Sequence, residues 1–144
     1  KGEMRKFPVV NFMIRRSGSR FVERFNSAES ARDARKIVKA ARGGQSLAFF
    51  PEGTFREEPG VGRFHAGAFM AAVKAGMPVV PVAISGTREL LGTGRILPRP
   101  ASIRIEILDP IQPDDPSYAH HRRLAESARQ KVLAALGEPD LLAE

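Results

Sequence analysis

The sequence contains no cysteine, which excludes disulfides and thiolate metal sites. By itself this points only faintly to a reducing compartment. No stretch approaches the roughly 18 consecutive apolar residues that a membrane-crossing helix needs. Residues 1–16 are basic and interrupted throughout, unlike the layout of a signal peptide. There is no internal repeat, and the 13 glycines and 11 prolines fall at segment ends rather than in tracts. What remains is 144 residues with a 42% hydrophobic content, suited to one domain with a real core.

The formal net charge is +7, and it is unevenly spread. Residues 1–42 carry twelve Lys/Arg against four Asp/Glu, whereas residues 43–144 carry eleven against twelve. The whole excess lies in the first third. A basic block of this kind favours anionic partners: phosphorylated metabolites, anionic lipid head groups or nucleic acid. A solvated basic face with no partner is the plainer alternative. Nucleic acid is disfavoured, because the basic third lacks interleaved surface aromatics and any recognised binding motif. The opening "KGEMRKFP" has no initiator methionine, and we read it as beginning inside a longer protein.

Along the chain, helical and strand patterns alternate. Residues 5–18 read as a short helix interrupted by Pro8, and 20–24 as a short strand. Residues 26–44 form the clearest helix, capped by Asn26 or Ser27 and ended by Gly43 and Gly44. Residues 46–50, "SLAFF", read as a buried strand stopped by Pro51, followed by a loop over 51–64. A small-residue helix is expected over 66–76 and a strand over 78–85, with Pro81 bending it or placing it at an edge. Residues 102–108 alternate as a half-exposed strand. Residues 116–136 form an amphipathic helix with His121, Leu124, Ala125, Ala128, Val132, Ala135 and Leu136 on one face. The expectation is a single α/β domain over 1–137, a mixed, mostly parallel sheet flanked by helices, with a frayed tail over 138–144.

In such sheets the loops at the carboxyl ends of strands form the ligand crevice. The loop after "SLAFF" begins "PEGTFR". Glu52 accepts hydrogen bonds from a hydroxyl or orients a cation, and Gly53 permits a close approach or a left-handed turn. Thr54 offers a hydroxyl and Arg56 a planar fork suited to phosphate. Together they suit a ligand both phosphorylated and hydroxylated. The alternative is that Glu52 pairs with a nearby arginine and the rest is turn chemistry.

"FPEGT" (50–54) resembles the third conserved motif of the glycerolipid acyltransferases, the family of the bacterial 1-acylglycerol-3-phosphate acyltransferases. "GSRFVER" (18–24) resembles the second motif, and "RFHAGAFMAAVKAGMPVVPVAISGT" (63–87) resembles the stretch that runs through the fourth. The resemblance covers residues 1 to about 110 and implies a glycerol-3-phosphate acyltransferase-like fold. It implies that Arg24 binds the acceptor's phosphate, and that Glu52, Gly53 and Thr54 position its glycerol and phosphate with help from Arg56. Val79, Val80, Pro81 and Val82 would shape the wall near the acyl chain. For Arg24 the alternative is a surface ion pair, and for Pro81 plain strand packing.

The chain departs from the family pattern at three places. The motif arginine usually follows the threonine directly, whereas Phe55 intervenes here before Arg56. His65 and Ala66 stand where a lysine is frequent, so His65 is a partial substitute or a loop histidine without a role. Most important, the family's general base is a histidine held by an aspartate five positions later, and this sequence has none. His65 is followed at that spacing by Met70, His120 by Ala125 and His121 by Glu126. No catalytic residue is therefore assigned within the chain. The resemblance implies acyl transfer from an acyl-CoA or acyl carrier protein thioester to the free hydroxyl of a lysophosphatidate-like acceptor, without metal or other cofactor. It also implies a place at the anionic cytoplasmic face of the cell membrane, and no activity for this chain alone. The rival expectation is a non-catalytic module that binds phosphate or lipid head groups.

Overall fold

The computed structural model describes residues 27–53, 56, 58–92, 97–113 and 118–143. The helix and strand read over 5–18 and 20–24 lie outside the described residues. Helix α1 spans Ser27–Arg42. It turns Ala41 into the protein and leaves Arg35, Lys36 and Lys39 in solvent. Its end is closed by the Gly43 N–H on the carbonyls of Lys39 and Ala40 (both 3.1 Å) and the Gly44 N–H on Ala41 (2.9 Å). Helix α2, Gly67–Ala75, buries Phe69, Ala71 and Val73. The Arg42 guanidinium donates to the Lys74 carbonyl through Nε (3.3 Å) and Nη2 (2.8 Å), tying the C-terminal ends of α1 and α2 together.

Strand β1 is Val82–Ser85, the short helix α3 is Thr87–Leu90, and strand β2 is Arg104–Ile107. The two strands pair antiparallel, Val82 opposite Ile107 and Ser85 opposite Arg104. The mostly parallel sheet expected from the alternation of elements is thus not what the described residues form. Among the described residues, the connection between the two strands holds only the one-turn helix α3 rather than a full crossover helix, and such a return suits antiparallel pairing. Pro81 has no N–H to give to a ladder, so β1 begins after it. The pairing nonetheless continues: Leu108 donates to the Pro81 carbonyl (3.0 Å), and Val79 and Ile111 exchange both backbone hydrogen bonds (2.9 and 2.8 Å). Val79 opposite Ile111 requires one more residue on the second strand than the β1–β2 register does.

Helix α4, Tyr118–Leu136, lies against α2 and β1. Its apolar face is the expected one: His121, Leu124, Ala125, Ala128 and Val132 are buried, and Ala135 and Leu136 half-buried. Leu124, Ala125 and Ala128 meet Phe69 and Val73 to form the core, with Phe64, Val79 and Ile111 packed on it. Burial, then the nearby charges of Arg122, His120 and Lys74, holds the His121 pKa below its usual value, so this core histidine is neutral.

Three further expectations are corrected. Residues 46–50 are not a buried strand: Leu47, Phe49 and Phe50 are exposed, Phe50 by 84%. Among the described residues no strand lies beside them to satisfy their edges or cover their faces. Among the described residues the helices also do not cover both faces of the sheet. Val82, Ile84, Ile105 and Ile107 share one side of the ribbon and are all exposed. Finally, residues 138–143 do not fray but return to the loop after Pro51. The Val61 N–H donates to Pro139 (3.0 Å), and Leu141 donates to the Val61 carbonyl (3.2 Å). Glu138 accepts from the Gly60 N–H (2.8 Å) and from Arg88 (2.9 Å).

Gly86, between β1 and α3, has φ of 84°, and a Cβ there would lie 2.0 Å from the Ser102 carbonyl oxygen. The obstacle is backbone of the paired chain and cannot swing aside. Gly86→Ala should therefore cost about 3 kcal/mol or more in denaturant unfolding. Gly44→Ala, at φ of 78° with open space around it, should cost only about 1 kcal/mol.

Candidate functional site

Pro51 and Glu52 occupy the middle of a turn that the Gly53 N–H closes on the Phe50 carbonyl (3.1 Å). Proline second and glycine fourth are the residues that such turns favour, and Gly53 takes φ of 73°, which an L side chain resists. The chain then runs out through Arg56 and returns, and the His65 N–H donates to the Pro51 carbonyl (2.9 Å). Residues 51–65 thus form a loop whose two ends are held together. Phe64 anchors the returning limb by stacking on Phe69, with ring centroids 6.2 Å apart.

Within this loop Glu52 and Arg56 face each other, with Arg56 Nε 3.9 Å from Glu52 Oε2. At that distance, with the guanidinium 47% exposed, the pair is loose and contributes little to stability. It is also open to an incoming anion that would take over the guanidinium, or a hydroxyl that would donate to the carboxylate. The backbone of Gly62 is the floor beneath them. A Cβ on Gly62 would lie 2.9 Å from Arg56 Nε and 3.3 Å from Glu52 Oε2. Glycine at 62 is therefore the residue that lets carboxylate and guanidinium sit this low in the loop.

The structure places Glu52, Gly53 and Arg56 in one loop, and the Glu52–Arg56 contact is the pairing with a nearby arginine that formed the plainer alternative. Arg24 and Thr54 lie outside the described residues. His65 is exposed and joins the loop through its backbone. The four residues of the implied acyl wall divide between two faces. Val79 packs on the core and Pro81 is buried, whereas Val80 and Val82 are exposed by 44% and 42%. Strand alternation makes this unavoidable, since neighbours in an extended chain point to opposite sides.

The residue that sequence reasoning missed is Arg129 on α4, which is only 2% exposed. Its Nε donates to the Gly62 carbonyl (3.0 Å) and its Nη2 to the Val61 carbonyl (3.2 Å) and to Asp140. Nη1 donates to Glu126 (3.2 Å). A signal existed: Arg129 lies four residues after Ala125 and three before Val132, inside the stripe read as apolar. Burial opposes its charge, but the hydrogen bond and charge of Asp140, aided by Glu126, hold its pKa above the usual value. In return Arg129, and then the Leu142 N–H, hold the Asp140 carboxyl below its usual 3.8. A depressed carboxyl stabilises the fold above the unfolded value and loses that effect as pH falls through the folded one. Wild type should thus be more stable than Asp140→Asn at every pH well above 3.8, the gap closing on acidification below it. Thermal melts of both proteins from pH 7 to pH 2.5 check this, and a gap unchanged across that range would refute it.

Comparison with known proteins supplies the context. Residues 1–85 match the family model described as Acyltransferase. Lyso-ornithine lipid O-acyltransferase from Pseudomonas aeruginosa is 31% identical over 94% of this chain and 57% of its own length. The 1-acyl-sn-glycerol-3-phosphate acyltransferase of Salmonella typhimurium is 28% identical over 86% of this chain and 50% of its own. The crystal structure of the 1-acyl-sn-glycerophosphate acyltransferase PlsC from Thermotoga maritima superposes with a TM-score of 0.68 at 29% identity. That match covers 94% of this chain and 54% of PlsC, so the chain spans about half the length of these relatives. The turn at 50–53 and the whole of α2 fall within the matched family span, and the chain belongs to the acyltransferase family that includes the 1-acylglycerol-3-phosphate acyltransferases.

Proposed function

We propose that the protein containing this chain transfers an acyl group from an acyl-CoA or acyl carrier protein thioester to the free hydroxyl of a 1-acylglycerol-3-phosphate-like acceptor. The observation that carries this is the open Glu52–Arg56 pair over Gly62, at the turn that matches the family motif. In this reading Arg56 and Arg24 take the acceptor's phosphate, and Glu52, Gly53 and Thr54 place its glycerol. Val80 and Val82, the exposed residues on either side of Pro81, serve the acyl chain. A general base removes the hydroxyl proton as the oxygen attacks the thioester carbonyl. The carbon–sulfur bond then breaks and the departing thiolate takes up a proton. None of the three histidines here has an aspartate five positions later, so these 144 residues do not supply that base and are inactive alone. No metal or other cofactor enters the scheme.

The relatives' names cover two acceptors, and an acyl-transfer assay on the full-length protein separates them. With radiolabelled acyl-CoA, 1-acylglycerol-3-phosphate should outcompete lyso-ornithine lipid. Arg24→Ala and Arg56→Ala should each raise the acceptor KM about tenfold and leave the donor KM unchanged, as loss of a charged hydrogen bond requires. Unchanged kinetics in both variants, or use of lyso-ornithine lipid alone, would sink the phosphate assignment.

The basic block over residues 1–42 would hold the protein to an anionic cytoplasmic membrane face, at about 1 kcal/mol per well-placed cation. The protein should float with vesicles containing anionic lipid and much less with neutral ones, and the difference should fade in high salt. Equal flotation with both would count against this placement.

A further inference from the structure

Outside the loop itself, the most heavily bonded polar side chain described is Arg129, and its contacts reach the floor of the site. Gly62 has two sides. Its α-carbon carries Arg56 and Glu52 above it, so closely that a Cβ would collide with Arg56 Nε. Its carbonyl accepts from Arg129 Nε at 3.0 Å from below, and Nη2 takes the preceding carbonyl, that of Val61, at 3.2 Å. A guanidinium is rigid and planar, so two carbonyls held by one side chain fix the orientation of the peptide between them. The loop's own closure, His65 N–H to Pro51, carries that orientation back to the turn that bears Glu52. Arg129 is in turn held by Asp140 and Glu126, which leaves it one position.

We propose that Arg129 is a positioning residue for acceptor binding: it sets the height and tilt of Gly62 and through them the spacing of Glu52 and Arg56. This rests on the functional reading above and adds a residue that touches no substrate. Its mark is selectivity. Loss of Arg129 geometry should weaken the acceptor's ground and transition states alike, raising KM while kcat and the donor KM stay put. A role in folding alone would lower the amount of active protein and leave KM where it was.

The test compares Arg129→Lys with Val132→Ala in the full-length protein. Lysine keeps the charge beside Asp140 and Glu126 but cannot span two carbonyls with a fixed fork. Val132 is a buried apolar residue of the same helix, remote in kind from the carbonyl contacts. Arg129→Lys should raise the acceptor KM about tenfold with kcat changed less than about twofold. Val132→Ala should lower the melting temperature without moving KM. An unchanged acceptor KM in Arg129→Lys, or the same rise in both variants, overturns the inference. Amide hydrogen exchange decides the coupling even if 1-acylglycerol-3-phosphate proves not to be the acceptor. Arg129→Lys should speed exchange over both 60–65 and Glu52–Gly53, whereas acceleration confined to 60–65 refutes the coupling. A wild-type protein that does not acylate 1-acylglycerol-3-phosphate sinks the functional reading and leaves that exchange result to judge Arg129.

Discussion

Burying a guanidinium strips water from its N–H groups, and the burial is prohibitively costly unless protein acceptors replace most of that water. At Arg129 the acceptors come from three stretches of chain: Glu126 on its own helix, the carbonyls of Val61 and Gly62, and Asp140 beyond the helix. That requirement draws the tail and the loop onto α4. The tail can lie down because Val61 exchanges backbone hydrogen bonds with Pro139 and Leu141 once it is there. The apolar core of Phe69, Val73, Leu124, Ala125 and Ala128 holds α2 to α4, but it does not reach this corner. One cation replaces it, and the placement of the loop that bears Glu52 and Arg56 follows from that.

The loop itself joins firm and loose parts. Its ends are fixed by backbone hydrogen bonds and by the stacking of Phe64 on Phe69. Its charged side chains are the less constrained part, a carboxylate and a guanidinium at 3.9 Å, both partly open to solvent. A tight ion pair there would have to be broken by any anionic ligand, and a fully separated pair would leave the carboxylate unoriented. The intermediate geometry leaves both groups able to exchange partners, as the proposed binding of a charged head group needs.

Much of this was legible in the sequence, and the reasons are local. Helices α1, α2 and α4 announce themselves through a 3.6-residue apolar period and through Gly44, Gly76 and Gly137, each of which takes positive φ just past a helix end. The "FPEGT" turn follows from its proline and glycine. What was not legible depends on partners distant in sequence. "SLAFF" has the composition of a buried strand, yet burial is a property of neighbours, and the described residues pair no strand with it. The isoleucines of β2 alternate as expected, but alternation does not say which face is inward, and they face out. Arg129 looked like an interruption of an apolar stripe. Its meaning emerged only when Gly62 and Asp140, 67 residues before it and 11 after, were found against it.

The register change between Ile107 and Ile111 has a geometric result. In a regular strand, positions four apart project to the same side. Here Ile107 is 74% exposed while Ile111 packs on the core, because the stretch through Asp109 and Pro110 adds one residue and reverses the parity. A single short segment thereby presents grease outward at one end and inward at the other. Deleting one residue there would restore the ordinary count and turn Ile111 away from Phe69 and Val73, undoing the interior from a point well outside it.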